Sequence, residues 1–226
     1  MQSSRSRLRS RTVAGVVDVS ILLLFVVVAG LSAAPADFFD ELHPRIAAAE
    51  AKRQTVRARF TETTTSSLLA KPVVSHGTLF GAKPNRIVIT YATPERKKIV
   101  LDGTRLAVVR PDRNEIDRID ITEIMKKVDH YFANASPAQL RRAFTVRAFP
   151  DPDLPGSYQM DLVPKRKQIK QGLEHLQIWV SSDYMLSQLK ITFAGGDSAV
   201  FKLEGVELNA PIPPHAFDVE IPPTWK

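Results

Sequence analysis

A run of short strands with turn residues at each junction lies within His76–Gly103 and constrains the fold more than any other part of the chain. Its apolar or alternating stretches are separated by Ala82–Asn85, which suits a turn, and by Pro94, which cannot donate to a strand ladder. Asp102-Gly103 is a dipeptide that supplies the positive φ of a tight hairpin into Leu106–Arg110. The segment therefore predicts an antiparallel meander with one strongly apolar face.

Residues 1–36 are predicted to be an export signal rather than part of the fold. A basic stretch, Arg5–Arg11, precedes the 13-residue apolar run Val19–Leu31, and Ala34–Ala36 offers a small-residue cleavage site. The apolar run is shorter than the roughly 20 residues that a membrane span requires. We therefore expect cleavage near Ala36, with an uncleaved membrane anchor as the alternative.

Composition narrows the class of protein further. The chain has no cysteine, so it has no disulfide framework and no cysteine that could be lipidated after the signal. Without residues 1–36 it keeps 27 basic and 23 acidic residues, a net charge of +4. This excess is too mild to favour nucleic-acid binding. The remaining residues, 37–226, suit one domain with a sizeable core or cavity.

Three helices and eleven or twelve strands are predicted from the periodicity of the apolar residues. The helices are Asp37–Lys52, Thr122–Phe132 and a third that begins after Ser136, with Pro137 and Gln139 completing a capping box and Leu140 and Phe144 as its apolar positions. The predicted strands are Val56–Phe60, His76–Gly81, Arg86–Tyr91, Lys97–Leu101, Leu106–Arg110, Glu115–Asp120, Tyr158–Val163, Leu173–Val180, Met185–Ala194, Ala199–Leu208 and Ala216–Ile221.

A sheet of this length must curl, because consecutive strands with one apolar face need a surface to bury that face against. With only a few helices available, we predict an α+β, mainly β fold: an incomplete, half-open antiparallel barrel of about 11 strands with helices over its mouth. The pattern does not decide whether the apolar side chains form a filled core or leave a void.

Five segments of the chain, in the same order and spacing, resemble the periplasmic lipoprotein carrier (LolA) family. They are VRARFTE at Val56–Glu62, the block Gly77–Glu95 with K-P-N and T-P-E, the D-G-x-x-L hairpin in Leu101–Leu106, the strand pair Leu162–Lys165 and Leu176–Val180, and the ending Phe217–Pro223. The resemblance implies a helix-covered half-barrel whose apolar cavity takes the acyl chains of a lipoprotein and shields them across the periplasm.

The same resemblance implies the partners. They are an acylated lipoprotein or lipid cargo, an inner-membrane lipoprotein-releasing transporter as donor and an outer-membrane acceptor. We expect a periplasmic monomer that binds no nucleic acid, uses no cofactor or metal and is not an enzyme. Alternation along strands and helical spacing nominate twelve residues to line the cavity: Phe39, Leu42, Ile87, Ile89, Tyr91, Leu106, Ile124, Met125, Leu140, Met160, Ile178 and Phe193.

The chain departs from the family pattern at Lys83. Many members have an arginine immediately before the proline of the K-P-N block, where it hydrogen-bonds carbonyls of the lid and holds the cavity closed. Lysine can donate but lacks the planar fork of arginine, so the resemblance implies a looser latch at Lys83. Arg86 on the next strand is the alternative latch residue.

Catalytic motifs are absent from the sequence. The five histidines are scattered, none is spaced as H-E-x-x-H, and there is no G-x-S-x-G or glycine-rich phosphate loop. Other functions remain open on the same fold: a carrier for another acylated lipid or a glycolipid, a cofactor-less enzyme, or a stress-sensing module. Two basic runs, Arg96–Lys98 and Lys165–Lys167, are either solvated hairpin tips or docking sites for anionic headgroups or an acidic membrane partner.

Overall fold

The computed structural model describes residues 38–128 and 136–219. The predicted export signal, residues 1–36, lies outside these ranges, as do residues 129–132 of the second predicted helix. Within the described ranges, none of the helices is both long and apolar enough to span a membrane.

The described residues contain four α-helices, which we number in chain order. They are α1 (Phe38–Ala51), α2 (Thr122–Val128), α3 (Pro137–Ala143) and α4 (Lys167–Lys170). α3 begins as predicted: Ser136 accepts from the Gln139 N–H at 3.2 Å, and the Gln139 side chain accepts from the Ser136 N–H at 2.7 Å. α1 continues through Pro44, and α4 was not predicted.

The eleven described strands form a single antiparallel sheet. The strands are β1 (Thr55–Thr65), β2 (Val73–Ala82), β3 (Arg86–Thr93), β4 (Lys97–Asp102), β5 (Arg105–Arg110), β6 (Glu115–Asp120), β7 (Phe144–Pro150), β8 (Tyr158–Pro164), β9 (Leu173–Val180), β10 (Leu186–Phe193) and β11 (Ser198–Leu208).

The sheet runs in the order β6-β5-β4-β3-β2-β1-β11-β10-β9-β8-β7, so two meanders meet where β1 pairs with β11. β6 and β7 form its two edges and are joined in the chain by the segment that contains α2 and α3. The predicted mainly β, half-open barrel is therefore confirmed, and α2 and α3 occupy the connection between its open edges.

The strand count matches the prediction through two compensating errors. Phe144, predicted as an apolar helix position, is instead the first residue of β7, where it pairs with Pro164. Ala216–Ile221, predicted as a strand, is not one over its described part: residues 214–217 form a turn. Both errors arise because the local apolar pattern of these residues fits more than one structure.

The turn segment covers the outer face of the first meander. Val88, Val100 and Ala107 are buried on that face, and Ala216, Phe217 and Val219 pack against them. Strands β3, β4 and β5 are thus buried on both faces, which explains their continuous apolar runs.

Candidate functional site

The concave face of the sheet and the helices over it form one continuous apolar cluster. α1 packs against β7, and its buried apolar side chains, Phe39, Leu42 and Ile46, belong to this cluster. Met125 of α2 and Leu140 of α3 are each 7% exposed and belong to it as well. The helices therefore fill the concave face with their own apolar side chains.

Ten of the twelve predicted cavity residues are buried members of this cluster. They are Phe39, Leu42, Ile87, Ile89, Tyr91, Leu106, Met125, Leu140, Met160 and Ile178. The structure thus brings together residues from three helices and from strands on both sides of the β1–β11 pair. Their role in binding an acyl chain stays a prediction.

The other two predicted residues lie differently. Ile124 is 37% exposed, because Ile121, just before α2, and Met125 within it face the cluster, and Ile124 is out of phase with them. The inward orientation predicted for Ile124 is wrong. Phe193 is partly buried against the cluster, at the end of β10 where the register with β9 shifts.

Aromatic rings line the concave side at two places. Phe60 on β1 meets Tyr91 on β3 edge to face, with ring centroids 5.0 Å apart. The intervening strand carries Gly77 opposite both residues, so the two rings meet across a position with no side chain. At the start of α1, Phe38 stacks on Tyr158, which stacks on Tyr184, at 5.0 and 6.1 Å. Sequence reasoning missed this second row.

Lys83 contacts the helix that covers the concave face. Its Nζ donates to the backbone carbonyl of Glu50, in the last turn of α1, at 2.6 Å and lies 3.6 Å from the Glu50 carboxylate. The Lys83 backbone N–H also donates to Gln54, just after α1, at 2.9 Å. This geometry matches what the latch prediction requires of Lys83, although the latch role itself stays a prediction.

Arg86 makes different contacts. Its Nε lies 3.1 Å from the Asp102 carboxylate, and its guanidinium lies 4.2 Å from the centre of the Phe217 ring. Arg86 therefore ties the sheet to the turn segment on the outer face, whereas Lys83 ties it to α1.

Two charged side chains of the strands are also buried. Glu62 on β1 is 1% exposed and accepts from the Thr64 hydroxyl at 3.2 Å. Arg110 on β5 is 7% exposed and donates to Asp117 at 2.6 Å. Alternation with Phe60 was the signal that could have placed Glu62 on the buried face.

The described histidines do not converge on one site. His43 on α1 is buried beside Phe39, with ring centroids 5.6 Å apart. His76 contacts the Thr61 hydroxyl at 3.1 Å, and His215 contacts Asp218 at 2.7 Å. In the part of the chain that the structure describes, no three His, Asp or Glu side chains are grouped as metal ligands would be.

Comparisons with known proteins agree on one family. The sequence model described as "Outer membrane lipoprotein carrier protein LolA" matches residues 51–220. An outer-membrane lipoprotein carrier protein of Methylibium petroleiphilum is 27% identical over 186 residues, 82% of this chain and 86% of that protein. A protein of the same name from Leptothrix cholodnii is 25% identical over 150 residues, 66% of this chain and 62% of that protein.

Solved structures are similar at the level of the fold. The complex of Pseudomonas aeruginosa MucA and MucB has a chain that is 13% identical, with a TM-score of 0.51. The match covers 80% of this chain and 60% of that chain.

Proposed function

The chain belongs to the LolA family of outer membrane lipoprotein carrier proteins, and on this premise we propose that it carries the acyl chains of lipoproteins across the periplasm on the concave face of its sheet. The observation that carries the proposal is the apolar concave face, which is covered by short helices rather than by a second sheet. A cover of this kind can move while the sheet stays intact.

Polar contacts tie both ends of α1 to the rest of the fold. Lys83 donates to Glu50 at its last turn, Arg45 donates to the Tyr184 hydroxyl at 3.3 Å, and Asp40 pairs with Arg141 of α3. The exposed contacts of Arg45 and Lys83 contribute roughly 0–1 kcal/mol each. The partly buried Asp40–Arg141 pair contributes more, because both of its hydrogen bonds are charge-assisted. The apolar area that α1 buries holds it in place more strongly than these contacts do.

An acyl chain would replace the helix side chains rather than fill an empty space. Each methylene kept from water is worth about 0.8 kcal/mol, so a chain that takes over the concave face compensates for the apolar contacts that α1 loses. Because the cargo leaves one apolar environment for another, the carrier supplies shielding and needs no covalent chemistry. The proposed donor is an inner-membrane releasing transporter and the proposed acceptor lies in the outer membrane.

Location follows from the same proposal. The family is one of carriers for outer membrane lipoproteins. We propose that residues 1–36 direct export and are removed near Ala36, leaving 37–226 as the carrier domain. Mass spectrometry of the exported protein tests this: a first residue at or close to Asp37 supports cleavage, and an intact N-terminus would mean that the segment stays as an anchor.

A dye-competition experiment tests the carrier proposal. The exported protein would be titrated with an environment-sensitive apolar dye, which a triacylated lipopeptide and, separately, a phospholipid would then compete for. We expect selective displacement by the lipopeptide. Displacement by phospholipid alone would assign a different acylated cargo. Absence of dye binding would mean a permanently filled core and would overturn the carrier proposal in favour of an enzyme or sensing module.

Two variants on one strand make the experiment specific to the concave face. Met160 of β8 is 3% exposed within the apolar cluster, whereas Val163 of the same strand is 43% exposed. Met160→Trp should lower dye capacity severalfold by filling the space that the ligand needs, and Val163→Trp should leave it unchanged. Equal losses in the two variants would place the dye elsewhere on the surface.

A further inference from the structure

The two basic runs of the chain, Arg96–Lys98 and Lys165–Lys167, differ in the contacts that their side chains make. In the first, Arg96 pairs with Asp112, Lys97 lies 4.4 Å from the centre of the Tyr91 ring, and Lys98 donates to the Asp218 carbonyl at 2.8 Å. All three cations of this run therefore make contacts within the molecule.

The second run is displayed to solvent. It occupies the connection between β8 and β9, where Lys165, Lys167 and Lys170 are exposed. Among the described residues, these three lysines and Arg142 make no ion pair with a carboxylate. Their positive charge is consequently not neutralised by the chain itself.

The run is fixed against the end of α3, which is also basic. The Lys165 backbone N–H donates to Ala143 and its Nζ donates to Arg141, both at 2.7 Å. α4 packs against β8 and β9, and Ile169 packs against the apolar cluster, so the helix is anchored through one side. We call Arg142, Lys165, Arg166, Lys167 and Lys170 the basic corner.

Charge is concentrated there to an unusual degree. The basic corner holds five cations, and the one acidic residue of the adjoining strand start is Glu174. Arg141 beside it is paired with Asp40. The resulting net charge of +4 equals that of residues 37–226 as a whole, 27 basic against 23 acidic, so the rest of the domain is neutral on balance.

We propose that the basic corner docks the protein on the surface of a bilayer that contains anionic phospholipid. A cation near such a surface is worth about 1 kcal/mol, so Arg142, Lys165, Lys167 and Lys170 together give weak, reversible binding that lengthens each encounter. Reversibility suits a molecule that must leave the membrane again. The docking does not require cargo, so it can be tested independently of the carrier function.

Vesicle flotation tests the proposal with the exported protein. Phosphatidylcholine vesicles would be compared with vesicles that also contain phosphatidylglycerol, at about 0.05 M and about 0.5 M salt, where the Debye length falls severalfold below its low-salt value. We expect binding to the anionic vesicles at low salt, at least tenfold weaker binding at high salt, and none to the neutral vesicles.

Two triple variants with the same loss of charge separate the basic corner from net charge. Arg142→Gln, Lys167→Gln and Lys170→Gln together should weaken anionic-vesicle binding tenfold or more; Lys165 is kept because it donates to Arg141. The control combines Lys52→Gln, Arg105→Gln and Arg118→Gln, which are exposed at other parts of the fold, and should bind nearly as the parent does. Equal loss of binding in both variants, or no binding by the parent protein at low salt, would overturn the proposal. The basic corner would then contact an acidic protein or only solvent.

Discussion

Arg141 of α3 donates through both terminal guanidinium nitrogens to the two carboxylate oxygens of Asp40 on α1, at 2.6 and 3.1 Å. The side chains are only 23% and 17% exposed, and the Arg141 guanidinium also lies 5.1 Å from the centre of the Phe39 ring. Two parallel charge-assisted hydrogen bonds of this kind are stronger than hydrogen bonds between neutral groups. The pair joins the helix that covers the concave face to the helix at the open edge of the sheet.

Removing this pair should loosen α1. Asp40→Asn is expected to lower the free energy of unfolding by about 1–3 kcal/mol, because the partly buried guanidinium keeps its desolvation cost and loses its charged partner. It should also speed uptake of an apolar dye. Urea unfolding and stopped-flow fluorescence measure the two effects.

A neighbouring exposed residue supplies the control. Arg142→Gln removes a cation from the same turn of α3 without touching the pair, so it should change neither quantity. Dye uptake that is unchanged in Asp40→Asn would show that α1 does not limit access to the concave face.

Replacing Lys83 and Arg86 by leucine, one at a time, distinguishes their roles. Lys83→Leu removes the donor to Glu50 of α1 and should accelerate release of a bound apolar ligand. Arg86→Leu removes contacts to Asp102 and Phe217 on the outer face, so release should stay at the parent rate. Ligand-release kinetics of the two variants decide which residue is the latch. Equal release rates in the parent and both variants would show that neither residue acts as a latch.

The start of α2 has a pH-dependent contact. Hydrogen bonds from the Thr122 side chain, and then from its backbone N–H, hold the pKa of Asp120 below its ordinary value. A depressed carboxyl pKa adds stability that is present above the unfolded-state pKa, about 3.9, and is lost as pH falls through the folded value. NMR titration should therefore place the Asp120 midpoint below that of a free aspartate.

Thr122→Val tests the cause of that shift. The substitution keeps the shape of the side chain and the backbone N–H, which donates to Asp120 at 2.8 Å, but removes the hydroxyl. The Asp120 midpoint should move upward, though not fully to the free value. A midpoint that does not move would mean that the hydroxyl contributes nothing.

Features with a local signal were predictable from the sequence. The capping box at Ser136 needs only residues in one turn, and the meander of β2–β5 needs only alternation and turn residues. The inward strand residues followed from alternation, because β3, β5, β8 and β9 each bury one face in the apolar cluster, and the inward helix residues followed from helical spacing. Of the twelve cavity positions predicted from these patterns, ten lie buried within the apolar cluster.

Features that depend on distant contacts were not predictable. Phe144 continues a helical pattern in sequence but is drawn into β7 by pairing with Pro164. The segment after Pro214 has strand-like residues, yet it turns at 214–217 because it covers apolar side chains on the back of β3–β5. Ile124 faces outward because the phase of the short helix α2 is set by two buried residues, Ile121 just before it and Met125 within it.

A substitution at Gly77 tests how closely the concave face is packed. A Cβ built at this position would lie 2.1 Å from the Thr90 carbonyl oxygen and 2.7 Å from the Phe60 ring. The ring can shift only by leaving Tyr91, and the carbonyl belongs to the neighbouring strand. Gly77→Ala should therefore lower the free energy of unfolding by about 1–3 kcal/mol, the usual cost of overpacking.

Gly172 is the matched control, because a Cβ there meets no other atom within 4 Å. Gly172→Ala should leave the free energy of unfolding unchanged or raise it slightly, since alanine restricts the unfolded chain. Urea unfolding of the two variants gives the comparison. If Gly77→Ala were as stable as Gly172→Ala, the Phe60 and Tyr91 rings would have room to move apart, and the concave face would be looser at its centre than the structure shows.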